Sequence, residues 1–157
     1  MKKLYRFKDF ELELISEKNV EWYETRVLNG LIFENQNHQS IDKKRITKIY
    51  LEKLSQGKVF KYYILSGSKI LGIVSLSYKD NEIELGYYLE KEYRGLGVMS
   101  NTLREIINFL DDGRDIVSYT QKSNQASKKL LEKLDFYPTY INDNIKYYYS
   151  ARRSSEV

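Results

Sequence analysis

The chain has 157 residues, of which 41% are hydrophobic, 14% aromatic and 31% charged, with a formal net charge of +4, one proline and no cysteine. A length near 150 predicts one domain, able to bury roughly two thirds of the surface its unfolded chain exposes, and the composition excludes disordered and fibrous classes. Without cysteine, disulfides, cysteine-ligated zinc, iron–sulfur clusters and a cysteine nucleophile are excluded, and the small net charge argues against the Lys/Arg stripe of a nucleic-acid binder.

The basic start of the chain meets Lys8, Asp9 and Glu11 where a signal peptide needs an unbroken apolar run. No apolar stretch approaches the ~18 residues of a membrane span, so no membrane contact and a cytoplasmic location are expected. Phe10 to Ile15 alternates Phe10, Leu12 and Leu14 with Glu11 and Glu13, which predicts a half-buried strand. Asn19 is placed to cap a helix carrying Val20, Tyr23 and Val27 on one side, with Asn29-Gly30 as its stop. From Ile41 to Leu54, Ile46, Ile49, Tyr50 and Leu54 keep helical spacing, and Gly57 ends the run. Three strands follow, Lys58 to Leu65, Lys69 to Tyr78 and Glu82 to Glu90, and their short turn-rich connections predict an antiparallel meander.

Behind Tyr93-Arg94-Gly95-Leu96-Gly97 comes a helix whose Met99, Leu103, Ile106, Ile107 and Leu110 form one apolar stripe, closed by Asp111-Asp112-Gly113. Asp115 to Thr120 reads as a strand, and Asn124 to Leu134 as a helix with Ser127 on the face of Leu130, Leu131 and Leu134. The chain turns around Pro138 and ends in a hairpin of Tyr140-Ile141 and Ile145 to Ser150 about Asn142-Asp143-Asn144, before a fraying tail, Ala151 to Val157. This order predicts an α/β fold on one mostly antiparallel mixed sheet of about seven strands, with about four helices on both faces.

His38, the single histidine, falls between the first two helices, which excludes Ser-His-Asp and Cys-His catalysis and the usual metal-ligand clusters. It reads either as a solvated loop residue or as a substrate contact. No Gly-Lys-Ser/Thr run is present, so a P-loop is excluded. Arg94-Gly95-Leu96-Gly97 stands between a strand and a helix. Its glycines allow close backbone approach, and the first N–H groups of the helix, at Val98, Met99 and Ser100, point outward with the positive end of the dipole. An oligophosphate fits that site, with Arg94 as a forked charge-assisted donor. A plain tight strand-to-helix turn would use the same glycines.

Tyr93 to Met99 resembles motif A of the GNAT N-acetyltransferases, with Arg94 leading and Gly97 as the middle glycine. Met99 in the sixth position is similar to the branch of ribosomal-protein N-terminal acetyltransferases. Two further stretches resemble that branch: Glu84 to Leu89, and Asn124 to Phe136, where Asp135 replaces a glycine. Asp tolerates a left-handed helix end better than most residues, so the replacement is mild.

The resemblance implies a GNAT fold and an acetyl-CoA-dependent N-acetyltransferase, with acetyl-CoA in a cleft where the strand ending at Leu89 splays from Asp115 to Thr120. Main-chain groups of Tyr88, Leu89 and Glu90 would hold the pantetheine arm. Arg94, Gly95, Gly97, Val98, Met99 and Ser100 would hold the pyrophosphate, Asn124 the pantetheine, and Lys128 either a phosphate or solvent. A backbone N–H near Leu89 would serve the oxyanion if a bulge leaves it unpaired. Glu84 or Glu82 would take the amine proton through water, or both are ordinary solvent-face residues. Ser127 matches the proton donor to CoA, its alternative being a serine bonded to the carbonyl one turn back, with a tyrosine such as Tyr137 then supplying the proton.

The first 57 residues show no family pattern, and in this fold they shape the acceptor pocket together with the last hairpin. The acceptor amine therefore stays open between a protein N-terminus, a polyamine, an amino sugar and an antibiotic, and a homodimer is compatible with the chain. A catalytically silent acetyl-CoA sensor or scaffold is the alternative from another class. A dinucleotide site lacks its third glycine. A nucleic-acid reading would have to use the 15 tyrosines, which sit mainly in strand patterns and there read as packing.

Overall fold

A computed structural model describes residues 3–28, 43–110 and 112–149. His38, the Asn29-Gly30 stop, Ile41, Asp111 and the tail 151–157 lie outside the described residues. The chain forms two compact units, residues 1–74 and 75–157.

The first unit holds β1 (Leu4–Arg6), β2 (Glu11–Leu14), α1 (Glu21–Leu28), α2 (Lys43–Ser55), β3 (Val59–Ser66) and the first half of β4 (Lys69–Tyr78). β1 is the strand the sequence pattern does not announce, because three residues are too few to show an alternation. It pairs antiparallel with β2, from Leu4↔Glu13 to Arg6↔Glu11, and β2 pairs antiparallel with β3. The core of this unit gathers Ile15, Tyr23, Tyr50, Tyr63 and Ile73. Tyrosine is tolerated there because its hydroxyls are satisfied. Tyr50 Oη donates to the Ile15 carbonyl at 2.6 Å and accepts from the Lys61 N–H at 3.1 Å. Tyr63 Oη donates to the Asn19 carbonyl at 2.5 Å and accepts from the Tyr23 N–H at 3.1 Å.

Asn19 does not spend its side chain on α1. Its Oδ1 accepts from the Ser16 N–H at 2.7 Å, and its Nδ2 donates to Glu13 Oε1 at 2.7 Å and to the Leu14 carbonyl at 3.0 Å. The first bond of the helix is accepted by Val20 O, from the Glu24 N–H at 3.0 Å, so Asn19 stands one residue before the cap position and its side chain closes the turn out of β2 instead.

The second unit holds the rest of β4, β5 (Glu82–Leu89), a 3₁₀ turn (Lys91–Tyr93), α3 (Val98–Phe109), β6 (Asp115–Gln121), α4 (Gln125–Lys133), β7 (Tyr137–Ile141) and β8 (Asn144–Tyr149). The strand order is β1-β2-β3-β4-β5-β6-β8-β7 in one eight-stranded sheet, mostly antiparallel, with β5 and β6 parallel. Four α-helices occur among the described residues. The parallel β5–β6 pair requires a crossover, and α3 supplies it. Its apolar stripe buries Met99, Leu103 and Ile106. Among the described residues no helix is long and apolar enough to cross a membrane.

Pro138 lies inside β7 rather than at the turn before it, opposite Tyr147 of β8. β7 closes the strand order, and an edge strand has a side on which a missing N–H is not needed. At the end of α4, Asp135 adopts φ 68°, while the Phe136 N–H donates to Leu131 O at 3.0 Å and the Asp135 N–H to Glu132 O at 3.1 Å. This is a Schellman closure, sealed by the buried side chains of Leu131 and Phe136.

Candidate active site

β5 and β6 share only three parallel pairs, Glu82↔Asp115, Ile83↔Ile116 and Glu84↔Val117. Beyond them, residues 85–89 of β5 and 118–121 of β6 continue as strands without pairing to each other. At the first unpaired step the Ser118 hydroxyl donates to the Leu85 carbonyl at 2.9 Å, a side-chain bond in place of a ladder bond. On the other side of β5, a β-carbon on Gly86 would stand 2.7 Å from Ser75 Oγ, so glycine is what lets β5 lie against β4 here.

The splayed strand leads into the 3₁₀ turn and the loop Arg94 to Gly97. Gly95 and Gly97 have φ of 79° and 80°, in the left-handed region where a side chain is strained. A β-carbon on Gly95 would meet nothing within 4 Å, so the loop is open on that side. Gly97 opens α3 without any side-chain cap, which leaves the first turn of the helix to other acceptors. Arg94 is exposed, and its Nε donates to the Leu89 carbonyl at 2.9 Å. This contact ties the loop to the end of β5. Tyr88 Oη donates to Glu90 Oε2 at 2.8 Å, and the Arg94 guanidinium stands 5.9 Å from the Tyr88 ring.

Both candidate glutamates are paired. Glu84 Oε1 accepts from Lys79 Nζ at 2.7 Å, and that bond is the main cause raising the Lys79 pKa above its ordinary value. Glu82 accepts from Lys146 Nζ at 3.1 and 3.3 Å. Burial disfavours the Lys146 ammonium, but its bonds to Glu82 and to the Tyr148 and Tyr119 phenols outweigh that and raise its pKa.

On α4, Asn124 uses its Oδ1 to cap the helix, accepting from the Ser127 N–H at 3.0 Å. Lys128 Nζ reaches the Lys122 carbonyl at 3.5 Å. Ser127 is not bonded to the carbonyl one turn back; its Oγ lies 2.5 Å from Tyr87 Oη on β5. Burial raises the Tyr87 pKa, and the bond to Ser127 opposes that only in part. Tyr137 is exposed and stacks on Tyr148, with ring centroids 5.9 Å apart. The tyrosine beside Ser127 is therefore Tyr87. Ser118, Tyr87, Lys79 and Lys146 are the residues that sequence reasoning did not select. The one available signal was Ser127 itself, a hydroxyl on an apolar helix face that needs a partner.

The chain matches the family described as Acetyltransferase (GNAT) domain over residues 7–137. No curated protein sequence matches it. Among solved structures, RimL, a ribosomal L7/L12 alpha-N-protein acetyltransferase in complex with coenzyme A, superposes with a TM-score of 0.75 at 17% identity, covering 94% of this chain and 97% of that one. The ribosomal-protein-S5-alanine acetyltransferase from Vibrio fischeri gives 0.71 at 21% identity, covering 94% and 96%. A chimera of the spermidine N-acetyltransferase SpeG from Vibrio cholerae and hSSAT gives 0.78 at 11% identity, covering 96% and 100%. At these identities the likeness concerns the fold alone. The family match spans well over half of the chain, and on it the chain belongs to the GNAT acetyltransferase family.

Proposed function

We propose that the chain transfers the acetyl group of acetyl-CoA to a primary amine, a protein N-terminus or a small amine, by direct attack in a ternary complex. The observation that carries this reading is the parting of β5 from β6 after Glu84↔Val117, immediately before a glycine loop that opens α3. The family match runs through both compact units, which supports residues 1–157 working as one domain.

Where β5 leaves β6, the stretch Tyr88, Leu89 and Glu90 is assigned to the pantetheine arm through its main chain. Arg94, Gly95, Gly97 and the first N–H groups of α3, at Val98, Met99 and Ser100, suit the pyrophosphate. Asn124 and Lys128 line the same end of α4 and are assigned to the pantetheine and a phosphate. In the reaction the amine nitrogen bonds to the thioester carbon and the C–S bond breaks. The amine gives up one proton, through water to Glu84, and the thiolate takes one from Ser127, whose hydroxyl is replenished from water. An α-amino group, with a pKa of ~8, needs less help from Glu84 than a lysine-like amine at ~10.4.

The pairing of both glutamates with lysines favours one second reading, a catalytically silent acetyl-CoA-binding sensor. Thiol release from acetyl-CoA, followed against peptide N-termini, polyamines, amino sugars and aminoglycosides, separates the two. Turnover with one class names the acceptor, and tight acetyl-CoA binding without turnover on any of them favours the sensor.

A further inference from the structure

Among the described residues, four hydroxyl side chains on the helices return their hydrogen to a nearby upstream carbonyl: Thr25 to Glu21 O at 3.0 Å, Ser55 to Glu52 O at 2.7 Å, Ser100 to Gly97 O at 3.1 Å and Thr102 to Val98 O at 2.7 Å. Ser127 does not. Its Oγ instead meets Tyr87 Oη at 2.5 Å, from a strand 40 residues away in sequence. Either hydroxyl could donate in that bond, and acidity favours the phenol, which is a stronger donor than an aliphatic hydroxyl and a weaker acceptor. The Tyr87 phenol is held in its neutral form by burial, so it carries a hydrogen, and a partly buried O–H left without an acceptor is costly. The side-chain acceptor it meets is Ser127 Oγ. With Tyr87 as the donor, Ser127 accepts, and the hydrogen of Ser127 is left to point away from Tyr87.

Tyr87 belongs to residues 85–89, the part of β5 that has parted from β6, and Ser127 stands in the first turn of α4, fixed through its N–H by Asn124. We propose that Tyr87 is a positioning residue for Ser127: by donating to Ser127 Oγ it turns the serine hydrogen toward the sulfur that leaves when the thioester breaks. The inference rests on the acetyltransferase reading above. In the step itself Ser127 passes its hydrogen to the sulfur and recovers one from water, while Tyr87 keeps its own proton throughout. A hydroxyl that accepts one hydrogen bond is also a better donor of the next, so the phenol both aims and strengthens the serine.

Tyr87→Phe removes the hydroxyl and keeps the ring. It should lower kcat roughly 3-fold to 30-fold with KM for acetyl-CoA little changed, the size of one polarised hydrogen bond. Added to Ser127→Ala it should cause no further loss, and its effect should shrink with acyl donors whose leaving thiol is more acidic. A second measurement does not depend on turnover. Affinity for free CoA, titrated by calorimetry between pH 7 and 9.5, should rise in the wild type as the thiol ionises near ~8.5, stay flatter in Tyr87→Phe, and be level for desulfo-CoA. Losses that multiply in the double variant, or a CoA affinity whose pH dependence ignores Tyr87, would overturn the assignment. A Tyr87-dependent rise in CoA affinity without turnover on any acceptor would overturn the acetyltransferase reading and keep the hydrogen bond's role.

Discussion

The hydroxyl of Ser118 on β6 donates to the carbonyl of Leu85 on β5 at 2.9 Å, one step past the last residues that pair the two strands. Both residues are buried, at 2% and 1% exposure, so the carbonyl has no easy replacement partner. Ser118→Ala should therefore cost about 1–3 kcal/mol of stability, or a melting temperature lower by roughly 3–10 °C. Acetyl-CoA affinity should fall with it, because the end of β5 loses the anchor from which it diverges. Thermal melts and calorimetric titration of the same sample check both, and an unchanged melting temperature would mean that the strands part without help from this bond.

The phosphate assignment gives a different signature, binding lost with folding kept. Arg94 is exposed, so Arg94→Ala should leave the melting temperature nearly unchanged while costing roughly 1–3 kcal/mol of acetyl-CoA binding, about 5-fold to 150-fold in affinity. Arg94→Lys should recover only part of this, since an ammonium lacks the planar fork. Gly97→Val should act on both quantities. A β-branched residue at φ 80° is strained by roughly 1–2 kcal/mol, and its methyl groups would stand over the first turn of α3. Titrations in which both variants bind acetyl-CoA like the wild type would remove the loop from the cofactor site.

What was legible in the sequence was local. The alternation in residues 58–90 and the stripe from Met99 to Leu110 each lie within one element, and Gly95 and Gly97 are needed for backbone reasons that a short window contains. The glycine motif of the β5–α3 turn and the Schellman end at Asp135 were readable for the same reason. The contacts made by the candidate site residues were not local. Tyr87 and Ser127 are 40 residues apart, and Glu82 and Lys146 are 64 apart. A pattern says that Ser127 is out of place on its helix face, but only the packing of α4 against β5 says what it meets. Asn19 failed as a cap because the helix starts one residue later, at Val20, and the asparagine side chain closes the turn that leads out of β2.

The tyrosine core of the first unit carries a pH dependence. Burial pushes the Tyr63 phenol up to about 12 from an ordinary value of 10.0. Folding thus favours the neutral phenol, so the stabilisation is fully present below pH 10 and is lost as the pH rises from 10 toward 12. Tyr50 is shifted in the same direction by the same cause. Melting temperature should fall steeply across that window. Tyr63→Phe should melt lower at pH 7, having lost the bonds to Asn19 O and the Tyr23 N–H, yet lose less than the wild type between pH 10 and 11.5. Parallel curves would show that Tyr63 does not carry the alkaline sensitivity.

Asp135 holds a left-handed conformation, φ 68°, at an exposed helix end. Glycine adopts it without the Cβ penalty, so Asp135→Gly should stabilise the chain by about 0.5–1 kcal/mol, and Asp135→Val should destabilise it by at least as much. Denaturant unfolding resolves differences of that size, and a less stable glycine variant would mean that the interactions Asp135 makes are worth more than the backbone strain.

The two glutamates on β5 separate by environment. Glu82 and Lys146 form the drier pair, with side chains 23% and 15% exposed, whereas those of Glu84 and Lys79 are 36% and 50% exposed. Removing one partner of the drier pair leaves the other charge poorly solvated, so Glu82→Gln should appear mainly in the melting temperature. Glu84 is within reach of water, which a relay of the amine proton requires. Glu84→Gln should lower kcat by ~10²-fold to 10⁴-fold near neutral pH, and much of the loss should return as the pH approaches the amine's own pKa, where the acceptor is already neutral. Lys79→Met should change the shape of the same pH profile, because it removes the cation bonded to the carboxylate proposed as the relay. The measurement is kcat against pH from 6 to 10 for the wild type and the three variants, with an α-amine and a side-chain amine as acceptors. The deficit of Glu84→Gln should be larger for the side-chain amine, whose higher pKa keeps it protonated longer. A Glu84→Gln profile parallel to the wild type at every pH, or a deficit that Glu82→Gln reproduces with full stability, would take the relay away from Glu84.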